Sequence, residues 1–156
     1  MLLIKSITDE SSELNIIRDL FREYSNELNE DLCFQHFNEE LQNPLKKYGA
    51  PLGSLLLAYQ DDEPAGCIAS QPISQEGTCE MKRLFIRPQV RKHGIADKLV
   101  EILLKEAKGK GYKKMVLDTL ERLQPAIRLY EKYGFENTSA YYKNPLPNVV
   151  YMEKCL

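Results

Sequence analysis

One segment of the sequence, between Cys79 and Thr119, restricts the fold more than any other. Residues Cys79–Arg87 are typical of a strand, which Pro88 ends because proline cannot donate a ladder hydrogen bond. A loop containing Gly94 follows, then an apolar stripe at helical spacing, then a second strand at Lys114–Thr119. Because a helical crossover joins them, the two strands are expected to pair in parallel.

The rest of the sequence predicts helices and antiparallel strands around this unit. The predicted elements are a strand at Leu2–Ile7, helices at Leu14–Leu28 and Asn38–Tyr48, a hairpin of Ser54–Tyr59 and Ala65–Ser70, a helix at Pro125–Tyr133 and a strand at Val149–Glu153. The Asp9–Ser12 cluster is suited to capping the first helix. We therefore expect an α/β fold with a mixed, mostly antiparallel sheet flanked by helices. The length of the chain fits a single domain, residues 1–156.

Charge and hydropathy argue against two classes of partner. The 21 Lys and Arg against 23 Asp and Glu give a net charge of -2, without the basic surface that nucleic acid would require. No apolar stretch has the length of a signal peptide or of a membrane span, so we expect a cytoplasmic protein that binds no membrane. The four cysteines show no C-x-x-C pair, which argues against a disulfide framework and against a metal site.

The loop around Gly94 carries the clearest chemical signal, in the pattern Arg91-x-x-Gly94-x-Ala96. Glycine permits a tight turn and a close ligand approach, and the first N–H groups of the following helix have no partner within the helix. With Arg91, Lys92 and His93 as further donors, the loop predicts a pyrophosphate site. The alternative is that Gly94 only turns the chain and that the basic side chains are solvated. Neither a P-loop nor a G-x-G-x-x-G fingerprint is present.

This loop, together with Leu129-Tyr-Glu-Lys-Tyr-Gly-Phe135, resembles the signature regions of the GNAT superfamily of N-acetyltransferases. The resemblance extends over nearly the whole chain. More narrowly, Glu80-Met-Lys-Arg-Leu84 and Tyr141-Tyr-Lys-Asn-Pro145 resemble a bacterial branch of acetyltransferases without a settled substrate. The resemblance implies a GNAT-like sheet with its parallel strand–helix–strand unit at the cofactor site. It also implies acetyl-CoA as cofactor and direct transfer of the acetyl group to a primary amine of a small molecule or peptide.

The resemblance also implies roles for individual residues. Backbone groups of Leu84, Phe85 and Ile86 would pair with the pantetheine arm of the cofactor. Tyr130 would give a proton to the departing thiolate, and Glu80 would be the general base. The pyrophosphate would bind the following residues: Arg91, Lys92, His93, Gly94, Ile95, Ala96 and Asp97. Leu123 stands roughly where many members have an asparagine, so a cofactor contact from that side chain is absent or replaced.

Each of these assignments has a structural alternative. Glu80 would also form an ion pair with Lys82 on the same strand face, and Tyr130 would also suit a packed helix face. The last candidates are Tyr141, Tyr142 and Asn144. They could line an acceptor pocket or form a packed turn before the last strand.

Other residues carry weaker signals. His36 and His93 are far apart in the sequence and suggest no metal pair, and Cys79 has no partner histidine for a nucleophilic role. At the level of function, the rival to an enzyme is a non-catalytic acyl-CoA-binding sensor or scaffold, which would need the loop but neither Glu80 nor Tyr130. The sequence leaves open whether the chain is a monomer or a homodimer.

Overall fold

The computed structural model describes residues 1–156 and contains one seven-stranded sheet and five α-helices. The strands are β1 (Leu2–Ser6), β2 (Ser54–Gln60), β3 (Glu63–Pro72), β4 (Thr78–Ile86), β5 (Lys114–Leu120), β6 (Glu136–Asn137) and β7 (Val149–Cys155). The helices are α1 (Ser12–Leu28), α2 (Phe37–Gln42), α3 (Pro44–Tyr48), α4 (Ile95–Gly109) and α5 (Gln124–Lys132). The strand order is β1-β2-β3-β4-β5-β7-β6, and only the β4–β5 pair is parallel. The mixed α/β sheet expected from the sequence is confirmed.

Helices cover both faces of the sheet and give the chain two hydrophobic cores. Successive strand residues point to opposite faces, so Leu56 packs in the core with Leu99 and Leu103 of α4, whereas Leu57 packs in the core with Phe21 of α1. All five side chains are fully buried. The first core lies against α4 and α5, and the second against α1, α2 and α3.

The parallel pair β4–β5 is short, and the two strands separate beyond it. Only Thr78–Glu80 pairs with Lys114–Val116, although β4 continues to Ile86 and β5 to Leu120. The sheet therefore opens between Met81–Leu84 and Leu117–Leu120, and we call this gap the β4–β5 opening.

A β-bulge in β4 lies beside the opening. Phe85 pairs with Cys67 and Lys82 with Ala69, so β4 has one more residue than β3 over this stretch. Arg83, inside the bulge, has a φ of 61°, which lies in the left-handed region. The extra residue places Lys82 and Arg83 on the same face of the sheet, the face covered by α1, α2 and α3.

Three local expectations were wrong. The helix predicted at Asn38–Tyr48 is two helices, because Pro44 disfavours helical backbone at Asn43, whose φ is -144°. Strand β6, of two exposed polar residues, was not predicted. Ser11 is the N-cap of α1, but its side chain makes no capping hydrogen bond.

None of the five α-helices combines the length and the apolarity that spanning a bilayer requires. None of the four cysteines forms a disulfide bond.

Candidate functional site

A cavity of about 90 Å³ lies in the β4–β5 opening. Met81–Leu84 and Leu117–Leu120 form two of its sides. The other lining residues, most of them apolar, are Tyr24, Leu28, Leu32, Gln35, Leu123, Ala126, Tyr130, Asn144 and Leu146. Pockets for drug-sized ligands are about 300–1,000 Å³. The cavity thus has room for a small reacting group, where the strand edges, α1 and α5 meet.

The backbone of Arg91–Asp97, which we call the glycine loop, has the properties of an anion site. The backbone N–H groups from Lys92 to Asp97 donate to no backbone carbonyl, and the first bond of α4 is donated by Lys98 to the Gly94 carbonyl at 3.1 Å. The φ of Gly94 is 79°, and a Cβ there would meet no protein atom within 4 Å. Six successive N–H donors at the start of a 15-residue helix are suited to a phosphorylated ligand.

The side chains of the glycine loop differ in what they contact. Arg91 donates to both carboxylate oxygens of Glu27 at 2.7 Å and to the Ile86 carbonyl at 2.8 Å, so it joins the loop to α1 and β4. Lys92 and His93 are exposed and make no hydrogen bond or ion pair. The backbone, rather than these side chains, is the fixed part of the anion site.

The side chain of Asp97, in the first turn of α4, is hydrogen-bonded to residues at the end of α5. Its carboxylate accepts hydrogen bonds from Lys132 and from Tyr133, the latter at 3.2 Å. The Lys132 bond is the main reason why the pKa of Asp97 is lowered. Asp97 therefore offers the anion site its backbone N–H only.

The edge of β4 beyond the short ladder is the place where an extended ligand could pair with backbone. The Arg87 N–H donates to the Ala65 carbonyl at 2.8 Å, so Arg87 and, by alternation, Phe85 turn their backbone groups towards β3. Those of Leu84 and Ile86 face the β4–β5 opening, where the Ile86 carbonyl is already bound by Arg91. Of the three residues predicted to pair with a pantetheine arm, two face the opening and Phe85 does not.

Tyr130, the predicted proton donor, borders the cavity from α5. Its side chain is 8% exposed and packs edge-on against Phe135, with ring centroids 6.0 Å apart. The hydroxyl has no hydrogen-bond partner in the protein and is not fully buried, so it is available to a ligand in the cavity. Burial raises the pKa of Tyr130, which keeps the phenol protonated at neutral pH.

Glu80, the predicted base, lies in a group of buried polar side chains on the α1 side of the sheet. Gln71, its direct cross-strand partner on β3, donates to Glu80 Oε1 at 2.8 Å, and the Tyr141 hydroxyl donates to Oε2. Lys82 Nζ is 4.0 Å from Oε2, so the expected ion pair is present but long. The Glu80 carboxylate lies behind the cavity wall and does not line the cavity.

The second carboxylate of this group, Asp118 on β5, does line the cavity. Tyr142 and Asn144 both donate to Asp118 Oδ2, Asn144 at 2.8 Å, and Lys82 Nζ is 3.8 Å from Oδ1. We call Glu80, Lys82, Asp118, Tyr141, Tyr142 and Asn144 the buried polar cluster. It brings the predicted base and all three predicted acceptor residues together.

The segment that carries Tyr141, Tyr142 and Asn144 is also pinned to β7. The Tyr151 hydroxyl donates to the Tyr142 carbonyl at 2.9 Å and accepts from the Asn144 N–H at 3.1 Å. The rings of Tyr141 and Tyr151 meet edge to face at 5.6 Å. The two interpretations left open by the sequence therefore coexist, because this segment is a packed turn whose side chains reach the site.

Beside the cluster lies a buried ion pair between α2 and the bulge of β4. Arg83 donates to both oxygens of Glu40, from Nε at 2.8 Å and from Nη2 at 3.0 Å. Lys47 and the Tyr48 hydroxyl also bond Glu40, each at 3.0 Å. The hydrogen bonds compensate the burial of both charges and fix the bulge against α2.

Other candidates from the sequence do not join the site. Cys79 is fully buried, and burial raises the pKa of its thiol to about 12, so it stays protonated. His36 is exposed beside Glu39. No three His, Cys, Asp or Glu side chains lie close enough to hold a metal ion.

Three features of the site were not predicted from the sequence: Asp118, Gln35 and the role of Lys82. The place of Asp118 follows from the parallel register: Glu80 pairs with Val116, and two residues further on each strand Lys82 and Asp118 share a face. Gln35 lies in a short 3₁₀ turn before α2 and has no comparable sequence signal.

The fold is that of known acetyltransferases. An acetyltransferase from Streptococcus agalactiae superposes with a TM-score of 0.81 at 22% identity, covering 99% of this chain and 98% of that one. A GNAT family acetyltransferase from Elizabethkingia anophelis, solved with acetyl-CoA bound, superposes with a TM-score of 0.70 at 24% identity, covering 99% and 98%. At these identities the likeness defines the fold class.

Sequence comparison supplies the family. The profile of the acetyltransferase (GNAT) family matches residues 14–135. An uncharacterized N-acetyltransferase of Schizosaccharomyces pombe is 45% identical over 141 residues, covering 90% of this chain and 86% of that protein. The chain belongs to the GNAT family of acetyltransferases. Since this relative is from a yeast, the resemblance extends beyond the bacterial branch.

Proposed function

We propose that the protein is an acetyl-CoA-dependent N-acetyltransferase that transfers the acetyl group directly to a primary amine of a small molecule or peptide. The observation that carries the proposal is the run of backbone N–H groups from Lys92 to Asp97 that donate to no backbone carbonyl, together with a cavity between β4 and β5 that Tyr130 borders with a free hydroxyl. The 156 residues would act as a single N-acetyltransferase domain.

The residues present fit acetyl-CoA. The glycine loop would hold the pyrophosphate through backbone donors, and Gly94 leaves the space that a close approach needs. Leu84 and Ile86 would pair with the pantetheine amides along the free edge of β4. When bound, acetyl-CoA supplies an activated acetyl group as a thioester. The family assignment and the relative solved with acetyl-CoA support this cofactor.

Tyr130 and the buried polar cluster would divide the proton transfers between them. An amine attacks only when neutral, and Glu80 would take its proton, through water or through the hydroxyl of Tyr141. Tyr130 would give its phenol proton to the departing sulfur from α5, which lies on the other face of the sheet from the buried polar cluster. Asp118 is the alternative base, because it borders the cavity directly.

The rival function, a non-catalytic acyl-CoA sensor or scaffold, requires the glycine loop alone. It gives no reason for a free phenol at the cavity or for a buried cluster with two carboxylates beside it. Incubation with acetyl-CoA and a panel of amines, with CoA thiol release as the readout, separates the two functions. We expect amine-dependent release. Acetyl-CoA binding without release from any amine would instead favour the sensor.

A further inference from the structure

Lys82, which borders the cavity from β4, is a buried cation that the proposed transfer does not use. Its side chain is 6% exposed. Its nearest anions are Glu80 Oε2 at 4.0 Å and Asp118 Oδ1 at 3.8 Å, both beyond hydrogen-bond distance. An ammonium has three N–H donors, and leaving them unpaired in a buried site is costly. Lys82 lines the cavity, so these donors can bind an acceptor that enters it.

The two nearby carboxylates are bound by other groups. Gln71 and Tyr141 donate to Glu80, and Tyr142 and Asn144 donate to Asp118. The hydrogen bonds of the cluster thus reach both oxygens of Glu80 and Oδ2 of Asp118, and none of them involves the Lys82 ammonium. A ligand that binds here gains most by bringing an anionic acceptor to Lys82.

Gln35 is linked to the buried polar cluster through the Tyr142 hydroxyl. Whereas Lys82 lacks a hydrogen-bond acceptor, Gln35 lacks a hydrogen-bond donor. Its Nε2 donates to the Tyr142 hydroxyl at 3.4 Å, and that hydroxyl donates its own proton to Asp118. The orientation of the amide follows, with Oε1 buried and without a partner. Gln35 lines the cavity, and a ligand N–H that reached Oε1 would give this buried oxygen the donor that the protein does not supply.

The charges around the cavity add a third constraint. Three buried carboxylates are matched by three cations, which are Glu40, Glu80 and Asp118 against Lys47, Lys82 and Arg83. A ligand with one net charge would leave that charge uncompensated in a buried site. A ligand with both an amine and a carboxylate would not.

We propose that the acceptor is a small aminocarboxylate of the amino-acid type, an inference that rests on the function proposed above. Its carboxylate binds the Lys82 ammonium, and its amine donates to Gln35 Oε1. In the transfer, the amine nitrogen forms a bond to the acetyl carbon as the carbon–sulfur bond breaks. The ammonium first gives one proton to Glu80, so that the neutral amine can attack. After the attack, the second proton of the nitrogen replaces the one that Tyr130 gives to the thiolate, and Glu80 returns its proton to solvent.

The first test compares matched acceptors with the wild-type protein. Each common amino acid is paired with its primary amide, in which the carboxylate is replaced, and CoA release is measured at saturating acetyl-CoA. Diamines and a lysine peptide complete the panel. Because a site with unpaired polar groups rejects analogues that lack the partner group, we expect at least one amino acid to exceed its amide by about tenfold or more in kcat/KM.

The second test removes each contact separately. Lys82→Met should raise KM for the amino acid by about tenfold or more and change KM for the amide little, so that the preference disappears. Lys82→Arg should restore it in part. Gln35→Leu should raise KM for both, because both carry the amine. Lys105→Met, at a lysine whose side chain is 78% exposed on α4, is the matched control and should change neither.

The outcomes are distinguishable from failure of the proposed function. Release with amides, diamines or the peptide as fast as with every amino acid overturns the inference and leaves the acetyltransferase in place. An undiminished preference in Lys82→Met, with the variant folded by circular dichroism, also overturns it. Release with no member of the panel overturns the proposed function and the inference together.

Discussion

At the scale of single residues, the hydroxyl of Tyr130 carries the most direct prediction. Burial raises its pKa, so the phenol keeps its proton and can donate to a leaving thiolate at neutral pH. Tyr130→Phe keeps the ring and its packing on Phe135 but deletes the donor. We expect kcat to fall about ten- to a thousandfold with acetyl-CoA affinity nearly unchanged, as measured by CoA release and by calorimetry.

The control for Tyr130 must be a tyrosine whose hydroxyl lies away from the cavity. Tyr133 does not qualify, since its hydroxyl bonds Asp97 in the first turn of α4. Tyr112, whose hydroxyl donates to the Leu52 carbonyl at 2.8 Å, is the better choice. If Tyr130→Phe and Tyr112→Phe have equal kcat, Tyr130 is a packing residue and the catalytic assignment is lost.

The two carboxylates of the buried polar cluster give a prediction about pH. Glu80→Gln should lower turnover most at neutral pH and recover in part at alkaline pH, where more of the acceptor amine is already neutral. Because the pKa of Tyr130 is raised, loss of the phenol proton should cause no decline below about pH 10, the ordinary pKa of tyrosine. The pH profile of kcat/KM between pH 6 and 10 is the measurement.

Asp118→Asn is the matched comparison for Glu80→Gln, since each change replaces a buried carboxylate by its amide. Asp118 lines the cavity and Glu80 does not. A steep pH dependence that survives Glu80→Gln but is flattened by Asp118→Asn would move the base to Asp118.

Individual site residues were predictable where a short pattern fixes the backbone. The pattern Arg91-x-x-Gly94-x-Ala96 predicted free backbone donors before α4, because a glycine before a helix leaves donors unpaired whatever surrounds it. Anion binding by these donors stays a prediction. Asp118 and Gln35 were not located, because their roles depend on strand register and on a turn packed against a distant segment. Lys82 was seen only as a partner of Glu80, since its lack of hydrogen bonds is a property of the assembled cluster.

At the scale of elements, the glycine loop and α4 act as one unit. Gly94→Val forces a β-branched side chain into a φ of 79° and places it where the ligand approaches. We expect acetyl-CoA to raise the melting temperature of the wild type and not of this variant. Differential scanning fluorimetry with and without acetyl-CoA is the measurement.

Gly111→Val is the matched control for the loop. Gly111 has a φ of 92° and no protein atom within 4 Å of a Cβ, so the change carries the same backbone cost at the other end of α4. We expect a lowered melting temperature with the ligand shift retained. Equal loss of the shift in both variants would show that backbone strain, and not the anion site, causes the effect.

Secondary structure was predictable where an apolar pattern at helical spacing extends over several turns, as in α1 and α4. It was less predictable where contacts with neighbouring elements determine the backbone conformation. The opening between β4 and β5 has no sequence signal, because both strands continue their patterns past the point where they separate. The bulge at Arg83 is likewise set by its pairing with β3 and its bonds to Glu40.

At the scale of the whole molecule, two cores and one buried ion pair hold the helices to the sheet. The cores follow from the alternation of apolar residues along β2, where Leu56 and Leu57 face opposite sides. The contact between α2 and β4 follows from Glu40 and Arg83, 43 residues apart, which no local pattern connects. We therefore expect global stability to depend in part on a pair that no local sequence pattern predicts.

Glu40 should make the stability of the molecule depend on pH in the acid range. Burial alone would raise its pKa, but the bonds and charge of Arg83, with Lys47, outweigh burial and hold the pKa below 4.5. A carboxyl whose pKa is lower in the folded state stabilises the fold above its unfolded pKa, and this stabilisation is lost as pH falls through the folded value. Glu40→Gln should lower the free energy of unfolding at pH 7 by about 3–5 kcal/mol, because Arg83 would be left buried without its counter-charge.

The difference in unfolding free energy between wild type and Glu40→Gln should shrink as the pH falls below the unfolded pKa and through the lowered pKa of the folded wild-type carboxyl. Urea unfolding at pH 7 and at successive acid values measures it. Glu39→Gln is the matched control, since Glu39 directly precedes Glu40 on α2 and its side chain is 78% exposed. We expect that variant to lie within about 0.5 kcal/mol of wild type. Equal stabilities for the two variants at pH 7 would mean that α2 is held to β4 by apolar packing and that the ion pair contributes little.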